Sequence, residues 1–154
     1  MSNGEALLIS ACLLGRRCRY DGGSKASDAA IAFAREWESG GAEVFEVCPE
    51  ELAGLPTPRP AAELRGGGGD AVLAGRAKVE RKIDGADLSE EFVAGARASL
   101  ARAPHATTAL LKARSPSCGC GEAWMDGELH PVDGVFAALC RSRGVRVLSD
   151  EEIE

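Results

Sequence analysis

The chain has 154 residues, 45% hydrophobic and 27% charged, which is the length and balance of one globular domain with a core of its own and excludes a disordered, collagen-like or coiled-coil protein. A net charge of −6 lacks the basic footprint of a protein that tracks a phosphate backbone, so polymeric nucleic acid is not an expected partner. No apolar run reaches the roughly 18 residues of a membrane span, so no membrane partner is expected either.

The first apolar run, residues 6–11, is short and bounded, and reads as a buried strand ending at Cys12. Across 28–39, Ala29, Ile31, Ala32, Phe33 and Trp37 recur at helical spacing, with Ser27 placed to cap the helix and Gly40-Gly41 to stop it. A second strand over 42–47 ends at Cys48. Three prolines in Leu55-Pro-Thr-Pro-Arg-Pro60 enforce an extended, stiff loop. The four glycines 66–69 read as a flexible surface loop, not as a phosphate loop, because no Lys-Ser/Thr pair follows them. Residues 72–82 suggest a short strand or hairpin arm ending at Asp84-Gly85. A helix over 88–102 aligns Leu88, Phe92, Val93, Ala96 and Leu100, with acidic residues in its first turn. A third strand, 107–111, runs on towards Cys118; a helix over 132–143 is ended by Gly144, and a last strand covers 145–148. Strands alternating with helices of this length predict a three-layer α/β/α sandwich with a mostly parallel sheet, Rossmann-like or flavodoxin-like, formed by residues 1–154 as a single domain.

The six cysteines ask for a chemical reason. Residues 1–5 carry no basic region joined to a long apolar stretch, so the expected compartment is the reducing cytoplasm, where grouped cysteines mean metal or redox chemistry more often than disulfides. Cys12, Cys48 and Cys118 each follow a predicted strand, and a parallel sheet gathers such positions at its carboxyl edge, where ligands bind. Soft thiolates select zinc, copper(I) or iron–sulfur clusters. No C-x-x-C pair is present, as structural zinc usually requires, whereas three thiolates suit a [4Fe–4S] cluster that leaves one iron open as a Lewis acid. The plain alternative is a small buried apolar side chain, which fits Cys140 inside its amphipathic helix. Cys18, in the basic turn Arg16-Arg-Cys-Arg19, is a spare ligand, a resolving thiol or neither, and Cys120 rivals Cys118 for a ligand position.

The strings Ser10-Ala-Cys-Leu-Leu-Gly15, Cys18-Arg-Tyr-Asp-Gly22 with Lys25, Val47-Cys-Pro-Glu50, Pro58-Arg-Pro60 and Lys112-Ala-Arg-Ser-Pro-Ser-Cys-Gly119 together resemble the small bacterial family that contains the 2-thiouracil desulfurases, over residues 6–150. The resemblance implies a [4Fe–4S] cluster on Cys12, Cys48 and Cys118 and removal of sulfur from a thiolated nucleobase without net redox change. It also implies a catalytic role for Glu50, two residues beyond Cys48. The matching bland reading of Glu50 is a first-turn helix charge after Pro49. Ser115 and Ser117 are candidates to bond the base edge or a developing oxyanion, though serines beside a proline are also ordinary turn residues. Lys25, Arg59 and Lys112, with Arg114, put positive charge in the motif loops and are candidate contacts for an anionic or polar small substrate such as a thiolated pyrimidine; solvated surface charge is the alternative. Asp21 reads as a turn residue, and His105 and His130 as structural or exposed. Residues 120–130 and Phe136 depart from the family pattern and bear on which substrate is taken. The competing function is a non-catalytic domain, either zinc-stabilised through Cys12, Cys48, Cys118 and Cys120 or a plain nucleotide binder.

Overall fold

The apolar run after Glu5 forms β1 (Ala6–Ser10), buried at all five positions, in the computed structural model, which describes residues 5–153. β1 pairs in parallel with β2 (Glu43–Val47) and with β5 (Thr108–Leu111), and β5 pairs in parallel with β8 (Arg146–Ser149), giving the order β2-β1-β5-β8. A strand covered on both faces is buried at every position and mostly apolar, and β1 and β5 are buried throughout, with Ser10 and Thr108 their only polar residues. Leu7, Ile9 and Leu110 pack towards Ala30 and Ala34 of α1 (Asp28–Ser39). Ala6, Leu8, Ala109 and Leu111 pack on the other side, in one core with Phe92 and Ala96 of α4 (Ser89–Ala101) and Phe136 and Leu139 of α5 (Val135–Ser142). The three layers expected from the alternation of elements are therefore formed. Ser27 caps α1 as expected, its hydroxyl accepting from the Ala30 amide at 3.1 Å.

The stretch between β2 and α4 departs from expectation. After α2 (Pro49–Leu52) and the proline loop comes β3 (Ala62–Arg65), and the glycine run is not a free surface loop. Gly68 and Gly69 are buried, and Gly69 begins α3 (Gly69–Leu73), so Val72 is helical and only β4 (Lys78–Arg81) is strand within 72–82. The reason is close approach. The Gly69 amide donates to the Asp133 carbonyl at 2.7 Å, and a Cβ on Gly69 would collide with the Gly134 backbone at the start of α5. Gly69→Ala is expected to lower stability by about 2 kcal/mol, read as a fall in the urea midpoint at unchanged slope.

A second four-stranded sheet, β4-β3-β6-β7, was not foreseen. β6 (Ala123–Met125) and β7 (Glu128–His130) form an antiparallel hairpin whose turn residues Asp126 and Gly127 have φ of 51° and 84°. Asp-Gly between short strands is the sequence signal for such a turn, and it stood inside the stretch that carried no predicted element. β6 joins β3 in parallel at Leu64 and Met125, while β3 and β4 run antiparallel. The helix expected over 132–143 begins later, at Val135, because Gly134 sits against the backbone of Pro116 and Ser117. Among the described residues no helix is long and apolar enough to cross a membrane.

Candidate active site

Each of the three strand-end cysteines is delivered by a different local device. β1 runs into a tight helical turn, Ala11–Leu14, closed by Gly15 at φ 98°, and Cys12 lies within that turn. Cys48 is the residue before the first turn of α2, where Pro49 needs no amide partner. Cys118 follows β5 on a loop held by the N-terminus of α5. The free amides of that helix end are satisfied by the loop's carbonyls, Val135 donating to Pro116 at 2.8 Å and Phe136 to Ser117 at 2.8 Å. The three thiols line one cavity of about 520 Å³, together with the side chains expected from sequence: Glu50, Ser115 and Ser117, and Lys25, Arg59 and Lys112.

Cys18 joins this wall and is buried, not a loose residue of a basic turn. Its thiol is raised to about 11, first by a hydrogen bond with the Cys12 thiol and further by burial. The Cys48 thiol is also driven up, by its hydrogen bond with Cys18 and by burial, and it donates to the Cys18 carbonyl at 3.6 Å. Burial pushes Cys118 up to about 12, opposed by hydrogen bonds from Ser10 and Ser117. In the metal-free protein these groups are thiols at neutral pH, and a bound metal would displace their protons. Cys140 lies in the core, as expected, and burial holds its thiol near 12. Cys120 does not reach the cavity. Its sulfur accepts from Arg141 Nη2 at 3.1 Å and lies 3.9 Å from Glu152 Oε1. Among the described residues no three His, Cys, Asp or Glu side chains close on one point as a single ion requires.

Glu50 is held from both sides. Arg59 Nε donates to its Oε1 at 2.9 Å and the Ser117 hydroxyl to its Oε2 at 2.9 Å, with the Arg59 and Glu50 side chains only 6% and 14% exposed. Arg59 further donates to the Cys18 carbonyl at 2.9 Å, to Thr57 Oγ1 at 2.9 Å and to the Pro56 carbonyl at 3.1 Å. A guanidinium has five donors, so this one is largely committed to protein atoms and to fixing Glu50. Ser115 takes a turn role, its hydroxyl accepting from the Cys118 amide at 2.7 Å, and lies 3.4 Å from Ser117 Oγ. Lys25 is exposed, and Lys112 is half-buried with Nζ 3.2 Å from the Ala113 carbonyl. Arg114, at φ 69°, is drawn outward to Glu122 at 3.2 Å and Glu151 at 2.6 Å. Asp21 accepts from the Gly23 amide at 2.9 Å, the turn role expected of it. His105 stands 3.6 Å from Glu43, and His130 ends β7; neither lines the cavity.

Sequence reasoning missed Ser10, Glu63, Lys82 and Trp124 in the wall. Ser10 was hidden in the first motif as a strand residue, and the other three lie in or just after strands of the second sheet, which are too short to show a period.

A family model described as 2-thiouracil desulfurase matches residues 7–152. The Bacillus subtilis (strain 168) protein YbbK is 39% identical over 152 residues, covering 96% of this chain and 97% of its own length. A solved structure of the [4Fe-4S]-dependent thiouracil desulfidase TudS (DUF523Vcz) is similar with a TM-score of 0.78 and 36% identity, over 97% of this chain and 93% of that one.

Proposed function

The chain belongs to the 2-thiouracil desulfurase family, and we propose that it removes sulfur from a thiolated pyrimidine with a [4Fe–4S] cluster held by Cys12, Cys48 and Cys118. The observation that carries this reading is the convergence of those thiols with the Glu50–Ser117 pair in a single cavity. The donor set fits the group: thiolate ligands on three separate strand ends, with Cys18 beside two of them and Lys25 and Lys112 adding positive charge. When bound, such a cluster presents one iron without a protein ligand, a Lewis acid for a soft thiocarbonyl sulfur, and leaves the carbon open to water.

The chain's own residues supply the rest. Glu50 takes the proton of the attacking water. Each of its oxygens already accepts one hydrogen bond, but a carboxylate oxygen has a second acceptor position, so it can still receive one from water. Arg59 holds one oxygen of the carboxylate and Ser117, between Glu50 and Cys118, holds the other, which fixes the base in one orientation. Ser115 keeps the Cys118 loop in shape, and Lys25 and Lys112 offer cationic contacts to a polar or anionic part of the substrate. The C=S bond is exchanged for C=O, one water is consumed, and hydrosulfide and a proton are released with no change of oxidation state.

The test is anaerobic reconstitution followed by assay with 2-thiouracil. Bound iron, the broad visible absorbance of an iron–sulfur cluster and matched release of uracil and hydrosulfide are expected; a colourless protein free of iron would overturn the reading. Cys120→Ala is expected to keep the full iron content and colour of the unmodified protein, because its sulfur is turned to Arg141 and Glu152. Loss of metal in that variant would favour the four-cysteine zinc domain instead.

A further inference from the structure

We infer that Glu63 and Trp124 form a recognition wall for a heterocyclic substrate that carries a free ring N–H beside its thiocarbonyl, Glu63 accepting that N–H and Trp124 stacking on the ring; this rests on the desulfurase reading above. Leu64 of β3 is in register with Met125 of β6, so the preceding residues, Glu63 and Trp124, project side by side from the opposite face of the second sheet. Leu64 and Met125 go to the core, while Glu63 and Trp124 line the cavity that also holds Glu50 and Cys118. The Trp124 amide donates to the Arg114 carbonyl at 3.3 Å, which ties this wall to the loop leading to Cys118.

Two features of the wall ask for a ligand. The Glu63 side chain is 8% exposed, and its Oε2 is, among the described residues, the one buried side-chain oxygen with no hydrogen-bond partner. Its nearest cation, Lys82 Nζ, is 3.9 Å away on a side chain that is 56% exposed. A buried carboxylate without donors is costly, and rotation about its last bond is soft, so either oxygen can turn to a donor arriving in the cavity. An ionised carboxylate only accepts, so the matching ligand group is a donor, and the lactam N–H of a thiolated pyrimidine is one. Trp124 is 44% exposed and offers a large flat surface beside that acceptor, which suits a planar ring. A site built to receive an N–H rejects an analogue that lacks it far more strongly than an apolar pocket rejects a missing methylene.

The experiment measures kcat and KM of the cluster-loaded enzyme on 2-thiouracil and on its 1-methyl and 3-methyl derivatives, for the unmodified protein and for Glu63→Leu, Glu63→Gln, Trp124→Leu and Trp124→Phe. The unmodified enzyme is expected to lose roughly 30-fold in kcat/KM when the recognised nitrogen is methylated. Glu63→Leu is expected to bring the unmethylated substrate down to that level and so abolish the discrimination, with cluster absorbance unchanged. Glu63→Gln keeps shape and an acceptor but no charge; it is expected to retain a discrimination reduced by roughly tenfold, and it decides the matter if the leucine variant does not fold. Trp124→Leu is expected to raise KM roughly tenfold, with Trp124→Phe restoring most of it. N–H discrimination undiminished in both Glu63 variants, or an unchanged KM in Trp124→Leu, overturns the inference. If the loaded unmodified enzyme turns over none of these compounds, the desulfurase reading fails, and calorimetric titration of the same compounds into the same proteins decides the wall separately: equal binding by the unmodified protein and Glu63→Leu overturns it.

Discussion

Cys118→Ala protein, reconstituted anaerobically beside the unmodified chain, is expected to hold less than about a tenth of its iron and to release no measurable hydrosulfide, the largest loss of any single change because one of only three ligands is gone. That loss follows from the proposed ligand set of Cys12, Cys48 and Cys118, and the fold is expected to survive it. Cys118 is buried, but removing one sulfur from a site flanked by Ser10 and Ser117 costs about 1 kcal/mol, small beside the stability of a domain of this size. Circular dichroism that matches the unmodified protein, with iron absent, is the result that assigns the ligand. Cys12→Ala and Cys48→Ala are expected to behave alike, since their thiols line the same cavity from the ends of β1 and β2. Retention of a full iron load by any one of these variants would remove that cysteine from the ligand set. For Cys12 and Cys48 that comparison is made in a Cys18→Ala background, because the Cys18 thiol contacts both and is the nearest substitute ligand.

Glu50→Gln separates chemistry from cluster binding. The amide preserves the shape of the carboxylate and can still accept from Arg59 or Ser117, but it cannot take a proton from water. The expected result is a fall in kcat of about 10²–10⁴ with unchanged iron content and a KM within a factor of about three, measured by hydrosulfide release. Glutamine is the informative substitution. Deleting the side chain would strand Arg59 as a buried unpaired cation, and breaking such a pair costs about 3–5 kcal/mol, which would confuse loss of a base with loss of structure. A Glu50→Gln enzyme with near-normal kcat would show that the proton goes elsewhere and that Glu50 serves to place Arg59 and the Cys18 carbonyl.

The two aspects of Arg59 show how far residue type alone carries. Its position in Pro58-Arg-Pro60 marked it as part of the site, and it does line the cavity. Its partners could not be read that way: Glu50 lies across the proline loop and Cys18 is 41 residues away, and four hydrogen bonds turn an anticipated substrate contact into a brace. Ser115 and Ser117 divide similarly, one holding the Cys118 amide and the other reaching Glu50, a distinction that depends on which way a tight turn faces.

What the amino-acid sequence determined by itself was the parallel sheet and its cysteine edge. Short, mostly apolar runs at 6–11 and 107–111 have only one comfortable place, between two helical layers, and a parallel sheet necessarily brings its strand ends to one side. What only the tertiary structure decided was the part of the wall that comes from the second sheet. β3, β4, β6 and β7 are three or four residues each, too short for a period to emerge, and they hold together by pairing across the chain. The glycines that looked like free loop are buried because α3 must meet the backbone of α5, a contact invisible without both partners. Long-range pairing, which no local pattern encodes, therefore brings Glu63 and Trp124 to the cavity that the cysteines line.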